Sequence, residues 1–192
     1  MNLEKMYEMQ KELDARIIKE KGLEGVDLLP NTVLALQVEI AELANEWRGF
    51  KHWSNDQEPR FNVLEIGGTD CSEEKLVNRV LEEYVDCLHF FLSIARQLDL
   101  PEEDLYVWEE TAEDDTVILF SELLHNVGLI LADRLFVNPI TDVPSFRRDH
   151  FKAALFIFYA LGEQRLGFTF EQIAEAYVAK NAINHKRQST GY

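Results

Sequence analysis

The chain has 192 residues with 35 acidic and 19 basic side chains, a net charge of −16, and 46% hydrophobic content. That is enough apolar material for the core of one domain spanning 1–192, with too little positive charge for a nucleic-acid binder, since phosphate backbones are held by Lys and Arg. Gly and Pro are scarce, at 9 and 5, and helical periodicity dominates over strand alternation, so the expected class is all-α, a multi-helix bundle.

The first expected helix runs from Leu3 to Lys21 and stops at Gly22. Its apolar face is Leu3, Met6, Tyr7, Leu13 and Ile17. Gln10 and Asp14 fall within that same face. Two readings of them stand: an inter-helix hydrogen bond, or the lining of a polar pocket that reads a ligand. The N-terminus lacks a signal-peptide core, and the longest apolar run, 153–161, is too short for a bilayer. The expected location is therefore the cytoplasm, with no membrane partner.

A turn-rich stretch leads to Asn31 or Thr32 as the cap of a second helix, Thr32 to Arg48. Val33, Leu36, Ile40, Leu43 and Trp47 form its apolar stripe. Glu39, Glu42 and Glu46 form a second one, bordered by Ala35, Val38 and Leu43. Such a helix reads as buried nearly all round. Carboxylates there need a cation or a hydrogen-bonded partner, so a salt-bridged structural helix and a cation site are both open. A long connection follows from Phe50, with Lys51 and Trp53 as its notable residues.

A third helix is expected over Glu73 to Leu98, with Leu76, Val80, Tyr84, Leu88, Phe91 and Ala95 as its core stripe. Glu83, Asp86 and Phe90 share a neighbouring stripe, and His89 points further round. Pro101 opens a short helix. Residues 102–115 carry eight acids and read as a solvated face plus a mobile loop. Thr116 to Val137 reads as helix, with Leu119, Leu123, Leu124, Val127, Ile130 and Leu131 as core. Another helix runs from Pro144 to about Leu166. Thr169 and Gln172 form a capping box for the last one, which carries Ile173, Ala176 and Tyr177.

From Lys180 onward the sign of the charge reverses: three bases (Lys180, Lys186, Arg187) and no acid. A basic helix end is one account. The other is a phosphate-binding arm, mobile over about 185–192, that orders on a ligand.

Residues three apart on a helix have neighbouring side chains, so Glu39/Glu42 and Glu83/Asp86 each make a two-carboxylate claw. Two claws packed together call for divalent cations, and all-oxygen ligation points to Mg²⁺, with Mn²⁺ as the substitute. A di-iron centre would want Glu-x-x-His pairs, which are missing at these positions. Metals, a polar pocket and a basic arm together suggest hydrolysis of a nucleoside polyphosphate.

The segments MQKELD (9–14), EIAE (39–42), FKHWS (50–54), EYVDCLHF (83–90) and KNAINHKRQSTGY (180–192) occur in an order that resembles the dimeric dUTPase family, the all-α branch of the NTP pyrophosphatases. The resemblance implies a homodimer and Mg²⁺-dependent hydrolysis of dUTP, often also dUDP, to dUMP. By position it implies metal ligation by Glu39, Glu42, Glu83 and Asp86, with Glu39 or a neighbour such as Glu42 orienting the attacking water. It implies base reading by Gln10 and Asp14, nucleoside contacts by His89 and Phe90, and a substrate pocket at Lys51 and Trp53. Lys180, Asn184, Arg187 and Tyr192 match a closing phosphate motif. The stretch from about 100 to 165 carries no motif. The competing expectations are a pyrophosphatase for another nucleotide, such as dCTP, and a non-catalytic helical interaction module.

Overall fold

The computed structural model describes residues 2–67, 73–107, 111–135 and 142–190. Cys71 and Tyr192 lie outside these. Helix α1 spans Leu3–Lys21, the expected range. The Asn2 side chain accepts from the Lys5 backbone N–H, and Gly22 closes the helix at φ 65°, a left-handed conformation that favours glycine.

Helix α2 spans Leu29–Trp47, so it begins three residues before Thr32. Pro30 is accommodated in the first turn, where its missing N–H costs nothing. Neither Asn31 nor Thr32 caps the helix. The Thr32 hydroxyl instead donates back to the Leu28 carbonyl and accepts from Gln97 on the third helix. Val33, Leu36, Ile40 and Leu43 are buried, but Leu34 and Val38 are exposed, so α2 is amphipathic in this chain rather than buried all round.

The connection after α2 ends in a small antiparallel hairpin, β1 (Val63–Gly67) and β2 (Glu73–Val77), with Val63 opposite Val77 and Glu65 opposite Lys75. This corrects the expected start of the third helix at Glu73. Helix α3 spans Arg79–Gln97 because the Asn78 side chain caps the Leu81 N–H. Leu76, expected in the core, sits on the hairpin with its side chain mostly exposed. Arg79 joins the hairpin to the helix, pairing with Glu65 and with Glu82.

Helix α3 is the centre of the molecule and packs against α1, α2 and α7 (Phe170–Ser189). A second layer is built from α4 (Thr116–Leu129), the short α5 (Ala132–Leu135) and α6 (Val143–Ala160), which a π turn at Leu161–Arg165 continues. Leu119, Leu123, Val127 and Ile130 are buried as expected. Tyr84 and Phe158 stack at 4.1 Å between the layers. The acidic stretch after Pro101 is not wholly solvated. Asp104, in a 3-10 turn at Glu102–Leu105, is buried and paired with Arg148 at 2.6 Å and Lys152 at 3.2 Å. The capping box of Thr169 and Gln172 is present, and α7 continues as helix through residues 185–189. No helix among the described residues is long and apolar enough to cross a membrane.

Candidate active site

Helices α2 and α3 lie side by side, and their acidic stripes meet. Glu39, Glu83 and Asp86 each bring an oxygen to within 4.8 Å of the others. All three are half-buried. Burial, followed by the charges of Asp86 and Glu42, pushes the carboxyls of Glu39 and Glu83 up to about 7. Asp86 is raised too, chiefly by burial, with Lys180 acting against it. The fourth expected ligand, Glu42, is exposed one helical turn from Glu39. It stands at the rim, where its charge still reaches Glu39 and Glu83. Three oxygen ligands at this spacing, each costly to ionise without a counter-charge, fit a hard divalent cation.

Helix α7 brings the charge reversal to this cluster. The Lys180 ammonium donates to Asp86 Oδ2. Arg187, two turns further on, is exposed, and its charge also lowers Asp86. Asn184 is half-buried between them.

Beside the carboxylates, Gln10 and Asp14 on α1 are buried in a hydrogen-bonded network with α3 and α7. Asp14 accepts from Arg96 Nε at 2.8 Å and from the Ser93 hydroxyl at 2.8–2.9 Å. Because that carboxylate only accepts, the Gln10 amide nitrogen must face it, at 2.9 Å. Gln10 Oε1 then faces the other way, accepting from Tyr177 at 3.0 Å and meeting His89 Nδ1 at 2.7 Å. His89 Nδ1 must therefore carry the proton. Burial, helped by Lys180, drives the His89 pKa down to about 3, so the ring is neutral and its Nε2 is a bare acceptor. Among the described residues that Nε2 is buried with no hydrogen-bond partner, as is Asn181 Nδ2 one helical turn beyond Tyr177. His89 also stacks on Tyr177 at 4.1 Å.

Of the other expected residues, Lys51 and Trp53 lie in the connection after α2 and Phe90 lies on α3. Lys51 bonds to Asn45 and lies 5.7 Å from the Phe50 ring centroid. Trp53 is 68% exposed, with its ring edge-on to Phe50 and His52. Phe90 is partly buried against the core. Tyr192 is outside the described residues. Ser93, Arg96, Tyr177 and Asn181 were not expected at a site. Ser93 and Arg96 are four and seven residues after His89, so helical spacing from His89 was the available signal.

A family model described as dUTPase matches residues 2–192. No curated protein matches the chain.

Proposed function

The chain belongs to the dimeric, all-α dUTPase family, and from that premise we propose that it hydrolyses dUTP, and dUDP as well, to dUMP with release of pyrophosphate or phosphate, using Mg²⁺ or Mn²⁺. The observation that carries this reading is the meeting of Glu39, Glu83 and Asp86 within 4.8 Å of one another, facing a lysine from α7.

Those three carboxylates would hold the metal, with Glu42 at the rim completing the set or taking a proton from water. When bound, the metal neutralises phosphate charge and activates water for attack on phosphorus. The chain's own residues do the rest. Lys180, from beside Asp86, and Arg187 would meet the phosphates, and Arg187 supplies a forked donor. Tyr192 would join them from the end of the chain.

Base choice follows from the tautomer of His89. A bare, buried Nε2 favours a ligand group that donates. The imide N–H of uracil does so, whereas the corresponding ring nitrogen of cytosine only accepts. In this reading Gln10 and Asp14 act by holding His89 in that state, and Phe90 and Trp53 supply aromatic surface to the nucleoside. We also propose a homodimer, which would cover outward apolar residues such as Leu34 and Val38 on α2.

The test is a panel of dUTP, dUDP, dCTP, dTTP and dATP with Mg²⁺, with products separated by chromatography. The expected preference for dUTP over dCTP is about a hundredfold or more in kcat/KM. Glu83→Gln, which keeps shape and removes charge, should lower turnover by about a hundredfold or more. Equal rates on dUTP and dCTP would point to a general nucleotide pyrophosphatase.

A further inference from the structure

Lys180 is placed on a proposed metal ligand rather than on a free phosphate-facing surface. Its ammonium donates to Asp86, and both side chains are mostly buried, at 22% and 16% exposed. Asp86 in turn has an oxygen within 4.8 Å of oxygens of Glu39 and Glu83. The ammonium thus stands within the cluster, as a monovalent counter-ion attached to α7.

We propose that Lys180 is a tethered cation which yields Asp86 to the divalent metal, so that metal loading releases the ammonium to the nucleotide's phosphates. This rests on the metal-site reading above. A divalent ion and an ammonium held on one half-buried carboxylate repel each other strongly where water screens them little. Lys180 has somewhere to go. It shares a helix face with Asn184 and Arg187, at intervals of four and three residues, so a turn of its stem keeps it on the proposed phosphate side. Nor is the ion pair needed to hold α7 in place. Tyr177 reaches the Met6 carbonyl at 3.1 Å, and Arg16 holds the His185 carbonyl and the Ser189 hydroxyl at 2.9 Å. Ile173 and Ala174 are buried. The same exchange gives an order to the site: the phosphate-binding lysine becomes available only once the metal has arrived.

The test uses the full-length protein without nucleotide, at fixed pH and ionic strength. Mg²⁺ and Mn²⁺ are titrated calorimetrically into wild type, Lys180→Met, Lys180→Arg and Lys186→Met. Lys180→Met should bind metal about tenfold or more tightly than wild type, because its competitor is gone. Lys180→Arg keeps the competing charge and should stay near wild type. Lys186→Met removes the same charge from the exposed end of the helix and should change affinity by less than about threefold, since exposed charges are screened. In parallel, the ¹⁵Nζ resonance of Lys180 should shift on Mg²⁺ saturation of the wild type. If Lys180→Met binds metal no more tightly than wild type, or if the Lys180 resonance is unmoved at saturation, the exchange is overturned while the metal site stands. If the wild type binds neither ion, the metal-site reading falls and the exchange with it.

Discussion

Glu39 and Glu83 have carboxyls at about 7 in the folded chain, against an ordinary value of 4.5. A carboxyl with a raised folded-state pKa binds its proton more tightly when folded. Its favourable contribution is complete below about 4.5 and is lost as pH rises through about 7. His89 has the opposite sign: depressed to about 3 by burial, it costs stability only as pH falls below 6.5. Between pH 6.5 and 8.5 the carboxyls of Glu39 and Glu83 therefore lose their protons, with Asp86, Glu42 and Lys180 packed beside them. Chelator-treated protein should melt at a lower temperature at pH 8.5 than at pH 6.5, and saturating Mg²⁺ should remove most of the difference. Calorimetry at the two pH values checks this, and a flat or rising Tm would contradict it. At this scale the neighbours within each helix were legible, because ExxE and ExxD spacing fixes them, but not that Glu39, Glu83 and Asp86 would meet while Glu42 stays at the rim. The pairing of Lys180 with Asp86 was not legible either, because it joins residues 94 positions apart. The same holds for the proton on His89, which is fixed by Gln10, 79 positions away on another helix.

Element ends were legible wherever a single local signal decided them. Gly22 and the box of Thr169 with Gln172 act within one turn of chain, and each ends or starts a helix as expected. The hairpin was missed because one short strand, Glu73–Val77, runs directly into a helix and has an acidic, helix-compatible sequence. What stops the helix there is the Asn78 cap, a residue equally at home in a turn. The π turn after α6 was also unmarked, and its role is one of fit. It places Gly162 so close to Tyr84 that an added Cβ would lie 2.4 Å from the tyrosine hydroxyl and 2.5 Å from its ring. Tyr84 is fully buried, stacked on Phe158, and sits between Glu83 and Asp86 in sequence. Gly162→Ala should therefore cost about 1–3 kcal/mol by overpacking. Thr169→Ala, which removes a cap and crowds nothing, should cost about 1 kcal/mol. Denaturant unfolding of both variants checks the order; a Gly162→Ala protein as stable as wild type would show that the Tyr84 ring gives way freely.

Across the whole molecule, a net charge of −16 is combined with a basic C-terminal segment that folds back onto an acidic cluster. This long-range closure decides how the tail behaves. Residues 185–189 are helical and are held by Arg16, while the buried side chains of α7, Ile173, Ala174, Tyr177 and Asn181, all precede them. A chain ending after Asn184 should fold, losing about 1 kcal/mol or less, since what is cut is a surface contact. It keeps Glu39, Glu42, Glu83, Asp86 and Lys180, so it should still bind Mg²⁺. It loses Arg187, the guanidinium whose charge already reaches Asp86, and Tyr192 with it. Without them the developing charge on the phosphates is unmet, and kcat/KM for dUTP should fall by about a hundredfold or more. Arg187→Lys in the full chain should recover only part of that loss, because an ammonium cannot make a two-pronged contact with phosphate. Steady-state hydrolysis by the three proteins, alongside their Mg²⁺ affinities, separates the outcomes. A truncated chain with near-normal kcat/KM would reduce the tail to a basic helix end. A truncated chain that has lost its Mg²⁺ affinity as well would show that residues 185–192 shape the carboxylate cluster itself rather than the substrate above it.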